Sequence, residues 1–171
     1  YFTRCAGKKS DSLRCEIYRS ERMKEGAWAA AERLPNPINS NRYTTTQPNL
    51  EWQQSSGSEW LYFCSDRPGG QGNMDIWRVE LKNDLTECEP YNLGTPINSI
   101  DAEATPYFDD KTKRLYFSSR WHFGLGGFDI FYSEHQAKGT WTEPINLGIP
   151  FNSAANDLYY VVNKDDTSGY I

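Results

Sequence analysis

The chain repeats itself at a fixed spacing, and this repetition constrains its fold more than any other feature. Short segments that begin at Leu61 recur 54 residues later, from Leu115 onward. Self-similarity at a period of about 20–50 residues marks an architecture built from copies of one supersecondary unit. The matched segments are 61–66 with 115–120, 75–77 with 129–131, 92–94 with 146–148, and 96–99 with 150–153.

An earlier copy precedes these two at a spacing of 59 residues. Residues 16–18 match 75–77, and residues 37–40 match 96–99. At the other end, Gly169, Tyr170 and Ile171 resemble the opening of a further strand. The chain therefore holds about three repeats, which we place at 1–60, 61–114 and 115–171.

Each copy predicts four antiparallel strands. The Leu-Tyr-Phe strand runs into a Gly-rich turn at 68–72 or 124–127, where glycine supplies the positive φ values that a hairpin needs. A second strand follows at 75–81 or 129–134, a third surrounds Trp141 and ends at Asn-Leu-Gly, and a fourth lies near 105–108. Four such strands have the layout of one propeller blade. The predicted fold is all-β, a β-propeller segment of about three four-stranded antiparallel blades.

The stretch 25–34 is rich in Ala, Glu and Leu, which by propensity alone would form a short helix. Its register argues for a strand, because Trp28 lies 113 residues before Trp141, at the same place in the repeat. Tertiary context overrides propensity over so short a window. We therefore predict the third strand and its flanks here.

Composition disfavours several functional classes. The net charge is −5 and no basic block is longer than Lys8-Lys9, whereas nucleic-acid binding needs a basic face. No apolar run approaches the roughly 20 residues of a membrane-spanning helix, so direct membrane insertion is not expected. The chain opens on Tyr1 without a signal-peptide pattern, and we expect any such segment outside this sequence.

Taken together, the motifs resemble a known repeat family. Leu-Tyr-Phe-x-Ser-x-Arg, a Gly-rich turn, Asp-Ile-aromatic and Gly-x-Trp-x-x-Pro-x-Asn-Leu-Gly-x-Pro-x-Asn are similar to the WD40-like, TolB-type propeller repeat of bacterial cell-envelope proteins. The resemblance extends to the propeller domain of the PorE/OmpA-family proteins of Bacteroidetes, which belong to type IX secretion. It covers nearly the whole chain, although residues 8–12 of the first copy replace the Gly-rich turn.

The resemblance implies a non-catalytic scaffold or adaptor in the periplasm of a Gram-negative bacterium, associated with the outer membrane. Its partners would be other cell-envelope proteins of a secretion or envelope-linking complex. Propellers close with about four to eight blades, so three blades leave two open sheet faces. We expect part of a longer propeller, with a homodimer that completes a six-bladed ring as the alternative.

Motifs for catalysis or metal binding are sparse. No Gly-x-Ser-x-Gly nucleophile elbow occurs, and neither His122 nor His135 lies in a recognisable catalytic motif. Asp66, Asp75 and Asp129 flank the Gly-rich turns, where they could hold calcium, but a turn aspartate more often bonds local amides. We expect Asp75 and Asp129 to be structural turn residues, and a non-enzyme without cofactor or metal, with calcium at the turns left open.

The sequence has no clear motif for binding phosphate or for cleaving glycosides. The Gly-rich turns do not predict phosphate loops, because a strand rather than a helix follows each turn. Asp66, Asp101 and Glu103 are candidates for a glycosidase pair, but the sequence does not place two of them across a sugar. A carbohydrate-binding or glycoside-cleaving propeller is the alternative function.

The four cysteines divide into two pairs. In the repeat alignment Cys5 and Cys15 flank the first hairpin turn on opposite strands, within disulfide reach, and the sequence leaves open whether the bond forms. Cys64 and Cys88 fall on strands with another strand between them, so a bond between them is less expected. Four cysteines suit an oxidising compartment.

Two arginines recur beside the turn aspartates. Arg67 precedes Asp75, and Arg120 precedes Asp129, at the same point of two copies. This spacing favours a salt bridge that closes each hairpin over a role in ligand binding, which stays the alternative.

The third copy carries three consecutive rings in its turn. Turns are normally polar, and aromatic residues beside an arginine have the composition of an interaction hot spot. Packing on the neighbouring blade is the other explanation. The predicted partner-binding residues are Arg67, Arg120, Trp121, His122 and Phe123.

Overall fold

The computed structural model describes residues 1–7, 13–53, 56–137, 139–163 and 169–170. Over these residues the chain is all-β, with antiparallel sheets whose strand order follows chain order. No helix among them is long and apolar enough to span a membrane. The first sheet contains β1 (Phe2–Ala6), β2 (Arg14–Arg19) and β3 (Glu32–Arg33).

Two complete four-stranded sheets follow, and a strand pair comes after them. The second sheet contains β4 (Thr45–Gln53), β5 (Ser58–Ser65), β6 (Asp75–Leu81) and β7 (Tyr91–Asn92). The third contains β8 (Glu103–Asp109), β9 (Arg114–Ser119), β10 (Asp129–Glu134) and β11 (Ile145–Asn146). The fourth contains β12 (Val161–Val162) and β13 (Gly169–Tyr170).

The predicted strands are present, but they group differently from the predicted repeats. The strands at 75–81 and 129–134 have the predicted bounds. The strand near 105–108, assigned by sequence to the end of one repeat, pairs with β9 and begins the next sheet. The described chain therefore has two four-stranded sheets with a three-stranded and a two-stranded sheet beside them, rather than about three four-stranded ones.

The segment 25–34 contains no helix, as its repeat register predicted. Glu32 and Arg33 form β3, and Trp28 makes an isolated antiparallel bridge to Arg22. Trp141 makes the same kind of bridge to His135 in the third sheet. The third strand of the repeat is thus a two-residue strand with one bridge before it, shorter than predicted.

The core lies between neighbouring sheets. Strand β5 is buried on both faces, because its Leu61 and Phe63 pack toward the first sheet while the alternating Tyr62 and Cys64 pack toward the third. This explains the unbroken apolar run that the sequence shows there. The first cluster contains Ile17, Leu34, Ile38, Leu61, Phe63, Trp77, Val79 and Cys88, and the second contains Tyr62, Cys64, Ile76, Ile97, Phe108, Leu115, Phe117 and Phe131.

The repeated Pro-x-Asn-Ser motif has a structural reason. The buried Asn98 side chain accepts from Ile76 N at 2.8 Å and donates to Ile76 O at 2.9 Å. Asn39 and Asn152 form the same two bonds with the equivalent isoleucines. Each asparagine side chain thus takes the place of a neighbouring strand for its isoleucine. Without it, the buried N–H of the isoleucine would lack an acceptor, which would be costly.

A repeated backbone kink links the sheets along one edge. Gln47, Thr105 and Tyr159 all have positive φ, at 54°, 51° and 67°. The Thr105 N–H donates to Gln47 Oε1 at 3.0 Å, and the Tyr159 N–H donates to Thr105 Oγ1 at 3.4 Å. Gln47 N–H donates in turn to Thr3 Oγ1 at 3.0 Å. These bonds connect the first strand of each sheet to the sheet before it.

The structure contains a disulfide between Cys5 and Cys15, which face each other across β1 and β2. The intervening residues 8–12, where the Gly-rich turn is replaced, lie outside the described part of the chain. Cys64 and Cys88 are buried free thiols. Burial raises the pKa of Cys64, so this thiol stays protonated at neutral pH.

Candidate functional site

The Gly-rich turns are organised by the aspartates that end them. Asp75 accepts hydrogen bonds from the backbone amides of Gln71 at 2.8 Å and Gly72 at 3.3 Å. Asp129 accepts from two amides of its own turn, at 2.9 and 3.0 Å. Burial raises the pKa of Asp75, although the two amides act in the opposite direction. Within the described residues no group of three His, Cys, Asp or Glu side chains is close enough to hold a metal ion.

The glycines of these turns are explained by the close approach of neighbouring backbone more than by their own backbone conformation. A Cβ on Gly72 would lie 2.4 Å from the carbonyl oxygens of both Ser99 and Asp101, in the segment that leads to the third sheet. Gly126 meets the equivalent segment at 2.2 Å. Of the glycines in these two turns only Gly69 has a positive φ, so that prediction is wrong for the others.

Arg67 does not form the predicted salt bridge with Asp75, and it is not an exposed binding residue. It is 8% exposed, and its Nη2 donates to the Ile38 carbonyl at 2.6 Å. Its guanidinium lies 4.7 Å from the Phe63 ring centroid and 5.2 Å from that of Trp77. Burial lowers its pKa to about 10, so it remains charged at neutral pH. Arg67 is a structural clamp between the first and second sheets.

The second predicted salt bridge, between Arg120 and Asp129, is also absent. Arg120 is exposed, and its guanidinium lies 5.6 Å from the Phe128 ring centroid. His122 is half-buried, and its Nε2–H donates to the Ile97 carbonyl at 3.2 Å. His122, the middle of the three consecutive rings, is therefore a structural residue.

The two flanking rings are exposed. Trp121 is 55% exposed, Phe123 is 96% exposed, and Leu125 in the same turn is 50% exposed. The turn that carries them is fixed by the amide bonds of Asp129. Large apolar side chains on a well-held turn cost little ordering entropy when a partner covers them. Trp121 and Phe123 are therefore the predicted binding residues that the structure leaves accessible, together with Arg120.

Trp121 borders a groove between the turns of the second and third sheets, which we call the Trp121 groove. Its cavity volume is about 360 Å³, and Gln71, Ile100 and Glu143 also line it. Ile100 is 64% exposed, and the Glu143 carboxylate is exposed without an ion-pair partner among the described residues. Sequence analysis missed Ile100 and Glu143, because they come from separate segments and have no motif of their own.

Two of the three candidate carboxylates of a glycosidase pair, Glu103 and Asp66, have structural partners. Glu103 is fully buried and accepts hydrogen bonds from Ser99 and Ser119, while Asp66 accepts from the Thr44 amide at 2.6 Å. Asp101 lies in the segment against which Gly72 packs.

A buried polar network between the second and third sheets had no sequence signal. Glu51, 3% exposed, accepts from Arg78 Nη2 at 2.8 Å and from the Tyr62 hydroxyl at 3.0 Å. His135 lies on the neighbouring sheet, its ring centroid 4.7 Å from that of Trp141. Burial and the Arg78 charge lower the pKa of His135.

The second and third sheets thus offer two features for recognition: the exposed Trp121 turn with its groove, and a polar cavity beside Arg78 and His135. No protein-family model matches the chain, and no curated protein matches its sequence.

Proposed function

We propose that this chain is part of a β-propeller that acts as a non-catalytic scaffold for protein interactions. The observation that carries the proposal is the Trp121 turn, where two large rings face solvent on a backbone fixed by Asp129. Aromatic anchors of this kind dominate the binding energy of protein interfaces.

The succession of sheets supports the propeller. The first sheet packs on the second and the second on the third, and bonds through Gln47 and Thr105 join the first strands β1, β4 and β8 along one edge. Tyr159, just before β12, is bonded to Thr105 in the same way. The Gln47 Nε2 also donates to the Tyr159 hydroxyl at 3.4 Å, across the intervening sheet. Convergence of first strands is what blades arranged around one axis require.

The disulfide supports a site outside the cytosol. Disulfides persist in oxidising compartments such as the bacterial periplasm and are rare in the cytosol. Cys5 and Cys15 join adjacent strands, and no group of side chains in the described part of the chain could hold a metal ion there. We propose that the protein lies in the periplasm of a Gram-negative bacterium, associated with the outer membrane, with other envelope proteins of a secretion or envelope-linking complex as partners.

The first sheet has a free face that supports further packing. Ile17 packs on the second sheet, so the adjacent Tyr18 points to the opposite face, where Phe2 stacks on it. A groove of about 380 Å³ lies there, lined by Phe2, Arg4 and Trp28, and Trp28 is 66% exposed. A neighbouring blade, from a longer chain or from a second copy, would cover this face.

Light scattering tests the homodimer. A mass near twice 19.7 kDa that falls to 19.7 kDa in Trp28→Lys would support a ring of two copies. A monomer at all concentrations would exclude it, and leave further blades of the same polypeptide as the cover for this face.

Photo-crosslinking tests the interaction surface. A benzophenone amino acid at position 123 is expected to give one discrete adduct with an envelope protein in intact cells, and Trp121→Ala should reduce the yield of this adduct. The matched control position is Trp52, which is 52% exposed. It lies next to the turn between β4 and β5, at the end of the second sheet opposite its Gly-rich turn. An identical adduct from position 52, or none from position 123, would argue against the proposed surface.

A further inference from the structure

The Trp121 groove can be compared with the equivalent place one sheet earlier, which the chain fills with a side chain of its own. Trp121 follows Arg67 by the 54 residues that separate the second and third copies. Arg67 is 8% exposed and lies in the junction between the first and second sheets, whereas Trp121 is 55% exposed. The junction between the second and third sheets therefore lacks the arginine that closes the earlier one.

Arg67 shows how a junction of this kind holds a guanidinium. Its Nη1–H donates to the Pro37 carbonyl at 3.2 Å and its Nη2–H donates to the Ile38 carbonyl at 2.6 Å. Both carbonyls belong to the linker that leads to the second sheet. The guanidinium also lies 4.7 Å from the ring centroid of Tyr43. Neighbouring carbonyl acceptors beside an aromatic face suit a planar group with five N–H donors.

At the later junction only one of the two equivalent carbonyls is used. The His122 Nε2–H donates to the Ile97 carbonyl at 3.2 Å. The Pro96 carbonyl, which is the repeat equivalent of the Pro37 carbonyl, has no donor among the described residues. Pro96 is half-buried and lines the Trp121 groove together with His122. One acceptor of the guanidinium site is thus left beside the groove.

The groove also carries an available carboxylate. Glu143 lines it, is exposed, and has no ion-pair or hydrogen-bond partner in the described part of the chain. No lysine or arginine is among the residues that line the groove, since the neighbouring Arg120 packs on the Phe128 ring. The whole chain has a net charge of −5, which favours encounter with a basic partner. A cationic group is therefore the ligand that the groove favours.

We propose that the Trp121 groove binds an arginine side chain presented by a partner protein. The guanidinium stacks on the exposed Trp121 ring and donates to the Glu143 carboxylate and the Pro96 carbonyl. Ile100, 64% exposed at the groove, offers an apolar surface to the methylene stem. The cavity of about 360 Å³ has room for one long side chain. The inference rests on the proposed interaction role of the Trp121 turn and names the side chain recognised there.

NMR titration of the full chain with Nα-acetylarginine amide tests this site. We expect saturable shifts of the Trp121 indole and Ile100 amide signals, with a Kd of about 1–10 mM, the range for a fragment of this size. Nα-acetylcitrulline amide has the same shape without the charge and should bind at least about threefold more weakly. Nα-acetyllysine amide should also bind more weakly, because an ammonium group lacks the planar fork.

Two variants at exposed positions separate the contributions of charge and ring. Glu143→Gln should weaken binding of the arginine probe by about threefold, and Trp121→Ala should weaken it by a similar factor, read from the Ile100 signal. Glu89→Gln is the matched control, because Glu89 is the exposed repeat equivalent of Glu143 and does not line the groove. It removes the same charge and should change the Kd by less than about 1.5-fold.

Four results would overturn the proposal. They are no saturable shift up to about 50 mM of the arginine probe, equal affinity for the citrulline probe, tighter binding of the lysine probe, and equal losses in Glu143→Gln and Glu89→Gln. Photo-crosslinking at position 123 tests the interaction surface separately. An adduct from that position without arginine binding would refute the arginine site alone, whereas arginine binding without an adduct would support the site and count against the scaffold.

Discussion

His122 occupies in the third sheet the place that Arg67 occupies in the second. Arg67 donates to the Ile38 carbonyl at 2.6 Å, and His122 donates to the carbonyl of Ile97, which is the repeat equivalent of Ile38. Each packs on the aromatic rings of its own sheet. The second and third copies thus share a planar side chain that donates to the linker just before the sheet, although the residue type differs.

Replacing Arg67 by lysine should destabilise the fold. Lysine lacks the planar group that stacks on Phe63 and Trp77 and cannot reach the same carbonyls with the same geometry. We expect a loss of about 1–3 kcal/mol in unfolding free energy, measured by urea denaturation. Arg120→Lys, at an exposed position, is the control and should stay within about 0.5 kcal/mol. Equal effects of the two changes would contradict the clamp.

Asn98→Ala should cost more than most single substitutions. It would leave the buried N–H of Ile76 without an acceptor, whereas the Ile76 carbonyl would keep its bond from the Leu93 amide at 3.2 Å. We expect a loss of about 1–3 kcal/mol in urea denaturation, the cost of one unpaired buried group. Asn73→Ala, at an exposed turn position of the same sheet, should change stability by less than about 0.5 kcal/mol. A small effect of Asn98→Ala would show that water replaces the side chain.

The bond from Thr105 N–H to Gln47 can be tested without disturbing the backbone. Gln47→Asn keeps a residue type that tolerates positive φ but is too short to reach Thr105. We expect a loss of about 1 kcal/mol in unfolding free energy. Gln47→Glu keeps the acceptor and should retain most of the stability. If the two variants lose equal stability, the bond contributes nothing.

Removing the disulfide should destabilise the chain by about 2–3 kcal/mol, the value for a short closed loop. Cys5→Ser with Cys15→Ser is the variant, and reductant should lower the melting temperature of the parent chain but not that of the variant. Cys64 and Cys88 provide an internal control, since buried thiols should resist alkylation in the folded protein. Loss of stability on reduction in the double variant would point to another redox-sensitive group.

His135 should make the fold less stable in mild acid. Its folded pKa lies below the ordinary value of 6.5, because of burial and the Arg78 and Lys113 charges, with Glu51 opposing. The unfolded chain therefore takes up a proton first, so this contribution to stability is lost as pH falls through about 6.5 and is restored above it. The drop in unfolding free energy between pH 7.5 and 5.5 should be larger in the parent than in His135→Gln. Equal drops would exclude His135 as the cause.

Much of the strand layout was predictable from sequence, since a hairpin is a local arrangement that alternation and turn residues specify. The bounds of β6 and β10 follow from the repeat register, which also put Cys5 and Cys15 within reach of each other but left open whether they bond, as they do in the structure. The positive φ values at Gln47 and Thr105 could not be predicted, because neither residue is a glycine and the two are of different types.

The sequence by itself determined that the chain is a succession of similar antiparallel units, because the same motifs recur in order, at a spacing of 54 residues in the second and third copies and 59 from the first. Only the tertiary structure decided what the turn residues do. Arg67 and His122 are held by carbonyls of the preceding linker, while Trp121 and Phe123 face solvent. Exposure depends on which neighbour covers a side chain, and for Arg67 and His122 that neighbour is a linker segment 29 and 25 residues earlier in the sequence.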